Sequence, residues 1–167
     1  MKYSPEQEEQ SSADLILQLL RYRSKLISNG QSHNSYEKQF KGLITTLLWS
    51  HTEAYGKYKG CRYWSKGALE SLDKHNGKVV TNKTIDPTHA LRHEHLFPRK
   101  DTIDLLFELD SPTIDAVSNI LELNIGVVVT VEEDSRLSKK GNREDVWKRY
   151  RDANILVEQK GDGGIKN

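Results

Sequence analysis

The chain has 167 residues, 35% hydrophobic and 29% charged, and its 25 Lys and Arg against 24 Asp and Glu leave a net charge of +1. That length supplies one well-buried core and is too short for two ordinary domains. A near-neutral total excludes a uniformly polycationic coat, so contacts with polyanions fall to local patches. No apolar run reaches membrane-span length, the polar start from Met1 to Gln10 lacks signal-peptide character, and the single Cys61 excludes both an internal disulfide and a paired-cysteine zinc staple. A cytoplasmic protein with no membrane partner and no structural zinc is expected.

Residues 1–10 are polar and read as a disordered N-terminal segment. Ser12 is placed to cap a helix from Ala13 to about Ser28, with Leu15, Leu19, Tyr22 and Leu26 on one stripe and Ile16, Leu20 and Ile27 beside it. Asn29-Gly30 stops that helix, and residues 31–35 form a loop by composition. Helical spacing then returns through Phe40, Leu43, Ile44, Leu47 and Leu48, from Tyr36 to about Tyr55. The two apolar stripes are expected to pack on each other.

Between Tyr55 and Gly67 the chain interleaves aromatics and glycines with Lys57, Lys59, Arg62 and Lys66, and from Ala54 to Lys83 seven Lys or Arg stand against two acids. Cations neutralise phosphates and aromatic faces stack on bases. The stretch therefore reads as a nucleic-acid surface, or else as a solvated loop whose aromatics are tucked into the core. Ser65 is positioned to cap a helix through Leu69 and Leu72 to about His75, Asn76-Gly77 closes it, and Val79 to Thr81 reads as a short strand.

The segment from Leu91 to Lys100 gathers Arg92, His93, Glu94, His95, Arg99 and Lys100 around Pro98. Glu94 offers a hard oxygen ligand for a divalent cation, and His95 an imidazole that takes a proton near neutral pH. Alternation along an Arg92–Leu96 strand puts His93 and His95 on one side and Glu94 on the other. A bulge or turn at Pro98 would bring Glu94 and His95 to one cleft. His89 and His93 have a helical zinc spacing, but Pro87 and the β-like run argue for extended chain there.

Two helices follow, over residues 102–109 and, after Ser111-Pro112, through Ile114, Val117, Ile120 and Leu121. Six acids and no Lys or Arg between Asp101 and Leu123 make this a face that repels nucleic acid. Ile125 to Thr130 reads as a strand, and Thr130 with Glu133 forms a capping box for an acidic helix that carries Asp134 and runs to Leu137. Lys139, Lys140, Arg143, Lys148 and Arg149 are available to grip a backbone or are ordinary surface charge. Asp145 to Asp152 forms a short helix with Trp147 and Tyr150 inward, Ile155 to Val157 a last strand, and residues 159–167 a flexible tail.

Glu94-His95-x-x-Pro98, the Val-rich strand with its acidic helix, Tyr63-Trp64-Ser65 and Trp147-Lys148-Arg149-Tyr150 together resemble the HNH (ββα-metal) endonucleases, over about Tyr63 to Val157. Where the most similar members are expected to carry a His, this chain has Asp134, which keeps an oxygen ligand and favours hard cations over Zn²⁺. The usual middle Asn has no secure counterpart; of Asn119 and Asn124, Asn124 is the better placed, just before the strand. The resemblance implies an α+β chain, mostly helical and single-domain, around a small ββα-metal-like strand-strand-helix core with a helical insertion.

It further implies one Mg²⁺ or Mn²⁺ held by Glu94 and Asp134, His95 as general base with Asn124 orienting it, and phosphodiester hydrolysis with DNA the favoured substrate. Arg92 and Arg99 would steady the phosphate, and a homodimer would present two clefts. The expected division is a disordered segment over 1–10, a helical extension over 11–56, a nuclease domain over 57–158 and a tail from 159. The absent Asn and the Asp at the His position motivate an alternative, a catalytically inactive HNH-like module that binds nucleic acid or protein. A third reading is an assembly protein whose acidic helices join subunits.

Overall fold

The computed structural model describes residues 4–31 and 34–160. In chain order these form α1 (Pro5–Ser28), α2 (Asn34–Glu53), β1 (Tyr63–Ser65), α3 (Lys66–Lys74), β2 (Leu91–His95), α4 (Arg99–Phe107), α5 (Ile114–Leu121), β3 (Gly126–Thr130), α6 (Val131–Arg136), α7 (Lys148–Asp152) and β4 (Val157–Gln159). The fold is α+β and mostly helical, with one four-stranded mixed sheet. Among the described residues no helix is long and apolar enough to cross a membrane.

Two compact units divide the chain. One takes residues up to Ala54 together with Pro98–Ile125, the other Tyr55–Phe97 and the residues from Gly126 onward. The N-terminal helical pair is thus not a separate extension over 11–56: the inserted segment with α4 and α5 belongs to the same unit. The reason is apolar. Ile16, Leu20, Ile44, Leu48, Leu106, Val117 and Ile120 all sit in one buried cluster, and each such side chain removed from water contributes about 1.5–3 kcal/mol.

Helix α1 starts eight residues earlier than Ala13. Ser4 accepts from the Gln7 backbone N–H while the Gln7 side chain accepts from the Ser4 N–H, and Pro5 occupies the first turn. This capping box ends the expected disorder of residues 4–10, because it satisfies two N–H groups that would otherwise be open. Within the same unit Arg23 donates to both Glu37 oxygens, at 2.9 and 3.2 Å, and its guanidinium lies 4.1 Å from the Phe107 ring centroid.

The sheet has strand order β2-β3-β1-β4, with β1 and β3 parallel and the other two pairs antiparallel. β2 and β3 run in register from Leu91 opposite Thr130 to His95 opposite Gly126, and α6 follows β3 directly, a strand-strand-helix unit interrupted by the insertion. One sheet face carries Trp64, Leu91 and Val128 in a cluster with Cys61, Ala68 and Leu72. Cys61 is buried there, as a small core residue.

Three local expectations differ from the structure. Val79 to Thr81 forms no strand; the Val80 carbonyl accepts a single bond from the Leu91 N–H. Tyr63–Ser65, inside the expected loop, is a strand buried from Trp64 onward. The last strand is β4, two residues later than expected, so the chain up to Gln159 is ordered into the sheet; residues 161–167 of the expected tail lie outside the described residues.

Candidate active site

Alternation along β2 holds throughout. Leu91, His93 and His95 are buried, Arg92 is exposed and Glu94 is half-buried. No bulge intervenes, since the five-residue register with β3 is unbroken, and so Glu94 and His95 project from opposite faces of the strand.

On one face His93 and His95 stack, with ring centroids 5.8 Å apart and planes at 27°, and Tyr58 meets His93 edge-on. The His95 ring is 2% exposed. Room for the pair comes from Gly126, opposite His95: a Cβ there would lie 2.2 Å from His93 Nε2 and 3.1 Å from Cys61 Sγ. Any side chain at this position would drive into the imidazole.

On the other face α7 supplies the partners. Arg149, 4% exposed, donates from Nη2 to Glu94 Oε1 at 2.9 Å and from Nη1 to the His95 carbonyl at 3.1 Å. Tyr150 is 1% exposed and packs edge-on against Trp147, which in turn meets Tyr63 of β1. Among the described residues the Tyr150 hydroxyl and Arg149 Nε find no hydrogen-bond partner. Burial pushes the Tyr150 phenol well above its ordinary value; the negative charge of Glu94 adds to this, Arg149 opposes it, and Asp134 and Glu133 raise it further.

Glu133 has a different task. Its Oε2 accepts from the Thr130 N–H at 2.9 Å and from the Ser65 hydroxyl at 2.5 Å, while Ser65 caps α3 through the Ala68 N–H. One carboxylate thus completes the expected capping box and ties α6 to the start of α3. Gly67 makes this possible, because a Cβ there would lie 2.7 Å from Glu133 Oε1.

The remaining expected residues are scattered. Asn124 is buried in the helical unit and its amide donates to the Leu48 carbonyl at 3.0 Å, which commits that group to helix packing. Lys57, Lys59, Arg62 and Lys66 are exposed around β1, with Lys66 near Glu70 at 3.9 Å. Arg92 is exposed on the Glu94 side of β2. Arg99 opens α4 with its guanidinium 4.5 Å from the Trp49 ring. Arg149, counted among cations available to grip a backbone, is instead consumed internally.

A second polar centre was not read from the sequence. Asp86, 5% exposed, accepts from Lys74 Nζ at 2.9 Å and from the His89 N–H at 3.0 Å, and meets His75 Nε2 at 3.1 Å and His89 Nδ1 at 3.2 Å. Lys74 first and these other donors hold its carboxyl far below the usual carboxylate range. The signal was an Asp before Pro87 in a loop flanked by two His, legible only once the loop folds back on α3.

Among the described residues no three His, Cys, Asp or Glu side chains converge to hold a metal. Mg²⁺ commonly takes one or two carboxylates and completes its shell with water and substrate phosphate, so the hard oxygens of Glu94 and Asp134 suit it. Glu94 Oε1 is taken by Arg149 and Oε2 makes no described hydrogen bond. Comparison with protein-family models, with curated proteins and with solved structures returns no match.

Proposed function

We propose that this chain is a metal-dependent endonuclease of HNH-like type that hydrolyses phosphodiester bonds, with DNA the favoured substrate, in the cytoplasm. The observation that supports this reading is that β2, β3 and α6 form a strand-strand-helix unit, with Glu94 half-buried on β2 and Asp134 on α6. A bound Mg²⁺ or Mn²⁺ would supply Lewis-acid stabilisation of the leaving oxygen. Glu94 and Asp134 would hold it, and the exposed Arg92 would contact the phosphate. His95 would take the proton of the attacking water as the new P–O bond forms and the old one breaks. Its ring lies on the opposite face of β2 from Glu94, so this role requires a rearrangement of the strand end that brings His95 to the Glu94 side. A homodimer would present two such clefts.

A second reading has its own support. The Arg149 guanidinium already neutralises Glu94, His95 is buried on the strand face opposite Glu94, and Asn124 is spent on α2. These features suit an HNH-like module that binds nucleic acid or a protein without cutting. Incubation of plasmid DNA and single-stranded RNA with the protein, with and without Mg²⁺ or Mn²⁺, beside His95→Ala, separates the two. Metal-dependent cleavage abolished by His95→Ala supports the nuclease; absence of cleavage of both substrates leaves the binding module.

A further inference from the structure

The helical unit has a cation-lined groove that the catalytic reading leaves unused. Lys41 and Thr45 of α2 and Arg99, Lys100, Ile103 and Asp104 of α4 line a cavity of about 260 Å³. Lys100 Nζ is neutralised by Asp104 at 2.7 Å. Lys41 and Arg99 form no ion pair among the described residues, so the lining carries three cations against the one carboxylate of Asp104, with Asp101 in the same helical turn.

Their settings differ from those of free surface cations. The Arg99 guanidinium is laid 4.5 Å from the Trp49 ring centroid and Lys41 Nζ lies 5.8 Å from that of Phe107. A stacked guanidinium keeps its planar fork of donors pre-set, so less rotamer freedom is lost when it grips an oxyanion. The groove flanks the first turn of α4, whose N-cap, Pro98, supplies no side-chain acceptor, so the positive end of the helix adds to the same field, offset in part by Asp101 of that turn.

We propose that this groove is a phosphate-binding subsite for a nucleic-acid backbone, in which Lys41, Arg99 and Lys100 outweigh Asp104, a member of the acidic stretch that otherwise repels a polyanion. Lys41 and Arg99 contact non-bridging phosphate oxygens, Lys100 contributes when Asp104 releases it, and Ile103 offers an apolar wall to the sugar. The proposal shares with the nuclease reading only the choice of nucleic acid as ligand; it requires neither a metal nor cleavage.

The test is fluorescence anisotropy of a labelled duplex of about 20 base pairs in EDTA, which prevents cutting, across a range of NaCl concentrations. The proteins are wild type, the pair Lys41→Glu with Arg99→Glu, the milder pair Lys41→Gln with Arg99→Gln, and Glu94→Gln. The charge-reversed pair is expected to bind at least about tenfold more weakly, with a log-log salt slope shallower by about 2. The Gln pair loses affinity in the same direction. Tripolyphosphate competes with the duplex on wild type and not on either pair. Unchanged duplex affinity in both pairs overturns the proposal, as does wild type that ignores the duplex or binds tripolyphosphate without releasing it. Loss or retention of cleavage in Glu94→Gln with Mg²⁺ present judges the nuclease reading separately.

Discussion

Gly126→Ala isolates the contact on which the stacked His93 and His95 depend. The added methyl would lie 2.2 Å from His93 Nε2 and 3.1 Å from Cys61 Sγ, well inside van der Waals distance. The ring cannot retreat, because His93 is 6% exposed and bounded by Tyr58 and His95. Gly126 does not have a positive φ, so the penalty is steric and carries no backbone component. Overpacking of a filled core costs about 1–3 kcal/mol. With a urea m-value of about 2 kcal/mol/M, the midpoint falls by about 0.5–1.5 M. The measurement is urea unfolding in a Trp49→Phe background, where Trp64 and Trp147 of the sheet unit supply the fluorescence. Gly42→Ala is the control of opposite sign: it lies within α2 with nothing within 4 Å of an added Cβ, and removing a helical glycine stabilises by roughly 0.5–1 kcal/mol. A Gly126→Ala protein as stable as its parent would refute the packing argument.

Arg149→Met leaves Glu94 and the His95 carbonyl without their donor, and breaking a buried ion pair from one side costs about 3–5 kcal/mol; thermal unfolding reads this, and a change under 1 kcal/mol would mean that water replaces the guanidinium. Ser65→Ala removes both the α3 cap and the hydroxyl on Glu133, for a loss of about 1–2 kcal/mol, and in a Glu133→Gln background the same change should cost measurably less, as a double-mutant cycle will show. For Asp86 the folded carboxyl lies below its ordinary value of 3.8, so its contribution is complete above that value and fades as pH falls below it. Asp86→Asn should therefore destabilise at pH 7 and converge with wild type toward pH 2, and a constant difference between the two melting curves across that range would contradict the assignment.

Much of the architecture was legible because periodicity and capping are local. The stripes of Ile16, Leu20, Ile44 and Leu48 marked the helical pair, Thr130 and Glu133 marked the start of α6, and alternation put His93 with His95 and against Glu94. What the sequence withheld is non-local. Tyr63–Ser65 is too short to show a period, and it is a strand because β3 and β4 pair on either side of it. Residues 98–125 join the N-terminal helices through Leu106, Val117 and Ile120, a choice of partner that no local pattern encodes. At the candidate site Glu94 and Asp134 could be named from the motif, whereas the pairing of Arg149 with Glu94 spans 55 residues. Asn124 looked like a base-orienting residue by position, and only the Leu48 carbonyl shows where its amide is used.

In the proposed nuclease, Glu94 and Asp134 together hold one hard divalent cation. Titration of Mn²⁺ followed by electron paramagnetic resonance, on wild type, Glu94→Gln and Asp134→Asn, tests it without relying on cleavage. One bound Mn²⁺ per chain, weakened in both variants and displaced by excess Mg²⁺, is the expected result. Wild type that binds no Mn²⁺, or variants that bind it as tightly as wild type, would contradict the claim.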